Sequence, residues 1–152
     1  MEEEKIVSLT TFRSAGEYFA FETIRIRHIL ENMKPTSVPL TKDYILGIIN
    51  NHGNMIPVVD FRKITGAKNY EENTDDSSII VVACEDNGGE QLVSFKVDEV
   101  DDVLNCNIDD ISKEVIYEVE PNVQKALTGT IKLGDKFIYT VDIDTIAKVI
   151  EQ

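Results

Sequence analysis

The apolar residues of this chain are mostly β-branched: 19 Ile and 15 Val stand against 8 Leu and 6 Ala. Such side chains are stiff at χ1 and suit a pleated surface better than a helix. Strands are therefore expected to dominate. The 152 residues allow one domain, or two small intertwined halves, and can bury a core without a metal or disulfide staple. Cys84 and Cys106 make no disulfide framework; they read as small buried apolar residues in a reducing compartment.

Periodicity and turn chemistry divide the chain. Strands are expected at 6–13 and 18–29, joined by Ser14-Ala15-Gly16-Glu17. Asn32 to Pro39 is a loop, and 41–47 looks like a short helix with Thr41 as its cap and Gly47 as its stop. Ile48 to Asn50 leads into the turn Asn51-His52-Gly53-Asn54, followed by a strand at 55–59. Asp60 can cap a helix over Phe61–Thr65, and the polar loop Ala67–Ser78 marks a boundary between halves. The run 79–84 (IIVVAC) reads as a strand buried on both faces. Further strands are expected at 91–97, 100–106, 128–133 and 136–143, with turns at 85–90 and 134–135. Residues 107–124 give no clear pattern, and Asp144 can cap a last helix over 145–151. Nine or ten short strands with few helices imply an all-β barrel or a pair of barrels.

The formal net charge is −13, and it is uneven. Residues 5–68 carry +4 and all four arginines, whereas residues 69–124 carry −14. Nucleic acid and anionic membrane are poor partners for such a chain. The acidic stretch is either a solvated face or one pole of a surface whose ends meet different partners. The acidic N-terminus resembles no signal peptide, and no apolar run approaches the ~18 residues of a membrane span. A cytoplasmic protein without membrane insertion is expected.

Catalysis has little support. The two histidines, His28 and His52, stand beside no evident nucleophile, and no Cys or His pair has metal-ligand spacing. Asp98 to Asp102 lacks the alternation and glycine of a calcium loop. Gly88-Gly89 opens no helix and so is a turn, not a phosphate cradle. Asp60 and Asp144 read as helix caps. No cofactor, metal or catalytic residue is expected, which leaves a binding module.

Residues 44–62 read YILGIINNHGNMIPVVDFR. This resembles the signature of the CheW domain, the adaptor of bacterial chemotaxis arrays: Tyr or Phe, Ile, Gly, an apolar pair, Asn-Leu-Arg-Gly, an apolar stretch with proline, and Asp-Leu-Arg. Weaker likeness covers most of the chain, with no room for a receiver or kinase domain. The resemblance implies two intertwined five-stranded SH3-like barrels and a non-enzymatic scaffold linking the histidine kinase CheA to the cytoplasmic tips of methyl-accepting chemoreceptors. A scaffold in another histidine-kinase pathway is the alternative, and self-association in array rings is left open. Two departures stand out: His52 replaces the motif arginine (with Asn51 for the leucine), and His28 replaces a family carboxylate. A groove lined by Ile26, Ile48 and Ile49 is expected to take a receptor helix. Receptor contacts are expected at Ile26, Gly47, Asn50, His52 and Ile146.

Overall fold

The computed structural model describes residues 5–39, 42–68, 70, 77–86 and 88–151. The strands are β1 (Ile6–Ser14), β2 (Glu17–Glu22), β3 (Ile26–Glu31), β4 (Ile45–Asn51), β5 (Asn54–Asp60), β6 (Ser78–Asp86), β7 (Gly89–Val97), β8 (Glu99–Asn107), β9 (Leu127–Leu133) and β10 (Lys136–Val141). Three short helices accompany them: α1 (Phe61–Ile64), α2 (Pro121–Gln124) and α3 (Ile143–Glu151). The strands form two five-stranded sheets, ordered β8-β1-β2-β10-β9 and β3-β6-β7-β5-β4. Both follow one pairing pattern from edge to edge: antiparallel, antiparallel, parallel, antiparallel.

That shared pattern explains the intertwining. The chain runs β1 to β5 and α1, then repeats the same order as β6 to β10 and α3. Each sheet takes strands from both runs. The expected boundary at 67–78, most of which lies outside the described residues, joins β5 and β6 of one sheet. It therefore separates the two runs and not the two barrels. The chain passes between barrels at Thr23–Arg25, a single 3-10 turn, and at Asp98.

The expected single strand over 18–29 is thus two strands in different sheets. The turn breaks the alternation: Ile24, placed on the same face as Ala20 by simple counting, is 77% exposed. Local bonds hold it there. The Arg27 guanidinium donates to the Ile24 carbonyl at 2.8 Å, and the Thr23 hydroxyl bonds Ser8 and Thr10 of β1.

The principal core lies between the barrels. Phe12, Phe19, Phe21, Phe61 and Phe95 are buried there with edge-on and tilted ring contacts, joined by Val59, Ile80, Val82, Val141 and Ile146. A smaller core fills each barrel, built on Ile56, Val58, Ile79 and Val81 in one and Leu9, Ala20 and Ile138 in the other. β6 alternates between two of these cores, Ile79 and Val81 facing one and Ile80 and Val82 the other. That is why its sequence is apolar throughout.

Helix α3 starts earlier than expected. Asp142, not Asp144, begins it: its carboxylate accepts from the Thr145 hydroxyl, and its carbonyl accepts from Ile146 N–H at 3.1 Å. Asp144 instead accepts the Glu85 N–H at 2.9 Å and pairs with Arg25. It thereby ties α3 to β6 and to the crossover turn between barrels.

The expected helix at 41–47 is absent. Residues 45–51 form β4, and the candidate cap Thr41 lies outside the described residues. The YILGIIN run has a helical i, i+4 apolar spacing, but its β-branched residues pair with β5 across the hairpin.

Candidate protein-interaction site

The edges of the second sheet meet at a seam. Beyond β3, Thr36 exchanges two backbone bonds with Ile48 of β4, Thr36 N–H to Ile48 O at 2.8 Å and Ile48 N–H to Thr36 O at 2.9 Å. Gly47 permits this approach. Its φ is +151°, and a Cβ there would lie 2.1 Å from the Thr36 carbonyl oxygen. The other barrel repeats the device with Ser112, Thr130 and Gly129, where a Cβ would meet the Ser112 oxygen at 2.9 Å.

Above the seam stands the β4–β5 turn. His52 and Gly53 are its central residues, with φ of +52° and +85°, the left-handed pair of a tight hairpin turn. Histidine tolerates this region better than bulkier residues. The Asn50 side-chain oxygen accepts the Gly53 N–H at 3.1 Å and fixes the turn. Across the seam, His28 follows a register shift in β3, and its ring centroid lies 5.7 Å from that of His52. His28 and His52, 24 residues apart in sequence, are therefore neighbours.

The expected contact residues divide accordingly. Asn50 and His52 are exposed at the turn, and Ile26 is half-buried against the principal core. Gly47 is buried and occupied by the approach of Thr36. Ile146 has no exposed surface and belongs to the principal core, so it is no part of an outer face. Ile48 and Ile49 do not line one groove: successive strand residues face opposite ways, and Ile49 is buried inside its barrel.

Sequence reasoning missed the exposed apolar residues Ile24, Ile29, Met33 and Met55. Met55, 61% exposed, is the register partner of Asn50. It also missed an open groove of about 730 Å³ under segment 110–118, lined by Ile116, Tyr117, Phe137 and Tyr139 with Asp110 and Glu114. The Tyr117 and Tyr139 rings stack there at 5.2 Å. Burial, with the nearby charge of Glu17, holds both phenols above their ordinary pKa.

The Asp-x-Arg end of the motif is structural. Asp60 accepts the Arg62 N–H at 3.0 Å, capping α1 as expected, and its carboxylate also meets the Arg62 guanidinium at 3.3 Å. Both residues are buried. Burial alone would lower the Arg62 pKa, but Asp60 and Asp98 outweigh it and raise it. Asp98 also accepts the Ala15 N–H at 2.8 Å, so the cluster joins both barrels at a crossover. Among the described residues no group of three or more His, Cys, Asp or Glu is arranged to hold a metal. No helix among them is long and apolar enough to cross a membrane.

Comparison with known proteins gives consistent results. The family model of the CheW-like domain matches residues 8–151. Chemotaxis protein CheW of Thermotoga maritima is 30% identical over 148 residues, covering 97% of this chain and 90% of the relative. Chemotaxis protein CheW of Bacillus subtilis is 28% identical over 138 residues, covering 91% and 85%. Among solved structures, the scaffolding protein TtCheW from Thermoanaerobacter tengcongensis superposes with a TM-score of 0.78 at 25% identity, covering 91% of this chain and 90% of that one.

Proposed function

The chain belongs to the CheW-like domain family, and from that premise we propose how it acts in chemotaxis. It is a non-enzymatic chemotaxis adaptor. In the reading proposed here it works in the cytoplasm, holding the regulatory domain of the kinase CheA and the cytoplasmic tips of methyl-accepting chemoreceptors in one assembly. The observation that carries the reading is the match to the family across residues 8–151, both barrels included.

The receptor-facing surface is assigned to the seam, with Ile26, Asn50 and His52 as contacts and Met55 beside them. The chemistry suits a helical hairpin: half-buried and exposed apolar side chains for its apolar face, with amide and imidazole groups for its polar flanks. Ile146 and Gly47 serve this surface from within, Ile146 by filling the core and Gly47 by letting the seam close. Charge distinguishes the barrels. Residues 98–124, which return to the β1-containing barrel, hold nine acids and one lysine. A partner docking on that barrel should therefore present basic groups and bind less tightly as salt rises.

Co-purification of the full chain with CheA and with a receptor cytoplasmic fragment tests the function. Retention of both supports it. Retention of a different histidine kinase, with neither CheA nor receptor, would replace it with a scaffold in another pathway.

A further inference from the structure

The His28–His52 pair is not absorbed by any role in folding. Both rings are exposed, and they come from the two edges of a sheet that few backbone bonds join. We propose that His28 and His52 form a two-imidazole site for a borderline divalent transition metal of the zinc type, clipping β3 to the β4–β5 turn.

The geometry carries the inference. Zinc binds imidazole nitrogen at about 2.0–2.1 Å with tetrahedral angles, which places two ligating ring centroids about 5 Å apart. The observed separation is 5.7 Å, with the ring planes inclined by 38°. Exposed side chains can close the remaining gap by small torsional changes. Each histidine's backbone is also held from its own side. His52 sits in a turn fastened by the Asn50–Gly53 bond, and His28 sits on a strand paired with Val81. Much of the entropy cost of bringing two ligands together is thus met by the fold.

The donor set selects the ion. Neutral imidazole suits zinc, copper and nickel, whereas magnesium and calcium prefer oxygen. With two protein ligands the remaining positions belong to water, so the site is open, as catalytic and exchangeable sites are and structural four-ligand sites are not. The nearest cation in sequence, Arg27, is engaged with Glu90 at 2.6 Å. The site needs no receptor at the seam.

The test titrates the full chain with zinc chloride at pH 7.5, following the histidine ring protons by NMR and the thermal midpoint in parallel. The expected result is one ion per chain, with both ring signals shifting together and the midpoint rising. His28→Ala and His52→Ala should each remove the shift of the remaining ring, while circular dichroism confirms the fold. Magnesium chloride should leave the ring signals unmoved. Equal zinc binding by the doubly substituted chain, or rings that shift independently, would overturn the proposal by placing the ion on the acidic segments. No ring shift at millimolar zinc would overturn it outright.

Discussion

Replacing Gly47 by alanine should open the seam of the second barrel. A Cβ at this position falls 2.1 Å from the Thr36 oxygen and 2.6 Å from its carbonyl carbon, and both atoms are backbone. Segment 36–37 must therefore retreat by nearly 1 Å, which breaks the two Thr36–Ile48 bonds of 2.8 and 2.9 Å. Their loss costs roughly 0.5–1.5 kcal/mol each. An alanine at φ +151° adds strain of roughly 1–3 kcal/mol. The sum centres near 4 kcal/mol, a large part of a domain stability of roughly 5–15 kcal/mol. Urea unfolding of a chain this size, with a slope of roughly 2 kcal/mol/M, would show the midpoint falling by about 2 M. Gly16→Ala is the control, because φ there is +82° and no atom lies within 4 Å of the new methyl. It retains the backbone strain without the collision. Equal losses for the two variants would refute the close-approach argument, and a Gly47→Ala loss below about 1 kcal/mol would refute the closure of the seam itself.

Other consequences follow from the same geometry. Asp60→Ala removes the nearest carboxylate from the buried Arg62 guanidinium, 6% exposed, while Asp98 at 3.9 Å and the Tyr70 ring at 4.5 Å stay beside it; breaking such a buried pair costs roughly 3–5 kcal/mol, measurable by denaturation. The raised phenols of Tyr117 and Tyr139 make the fold alkali-sensitive. Above pH about 10 the unfolded chain loses these protons first and so binds fewer than the native state, and stability falls as pH rises. A urea midpoint that stays level from pH 9 to 11 would contradict this, and Tyr117→Phe should flatten the decline. His52→Ala should weaken binding of a receptor-tip peptide in calorimetry while leaving the thermal midpoint nearly unchanged, since the side chain is exposed. Unchanged affinity would remove His52 from the contact surface.

Much of the fold is legible in local sequence. The hairpins around Gly16, Gly53 and Gly134 follow from turn residues, and β6 follows from an apolar run with no polar face. The apparent helix at 41–47 misleads because its apolar spacing suits either element; pairing with β5, a tertiary effect, decides. The break at Thr23–Arg25 is hidden because alternation survives it on paper while the chain changes sheets. Asp142 and Asp144 are equally good caps by residue type, and only the position of Glu85 and Arg25 assigns Asp144 elsewhere. The site is half legible. His52 and Asn50 stand in a recognisable turn, but their proximity to His28 depends on closure of a barrel. Ile146 is misread because a helical apolar stripe has the same pattern whether it faces a partner or a core.

Under the proposed function, one small, non-catalytic chain bridges a kinase and a receptor. Isothermal titration of the full chain with the CheA regulatory domain, repeated after saturation with a receptor cytoplasmic fragment, tests it most directly. One-to-one binding of the kinase domain is expected in both titrations, giving a three-component complex. Absence of heat with either partner, or loss of kinase binding once the receptor fragment is bound, would contradict it.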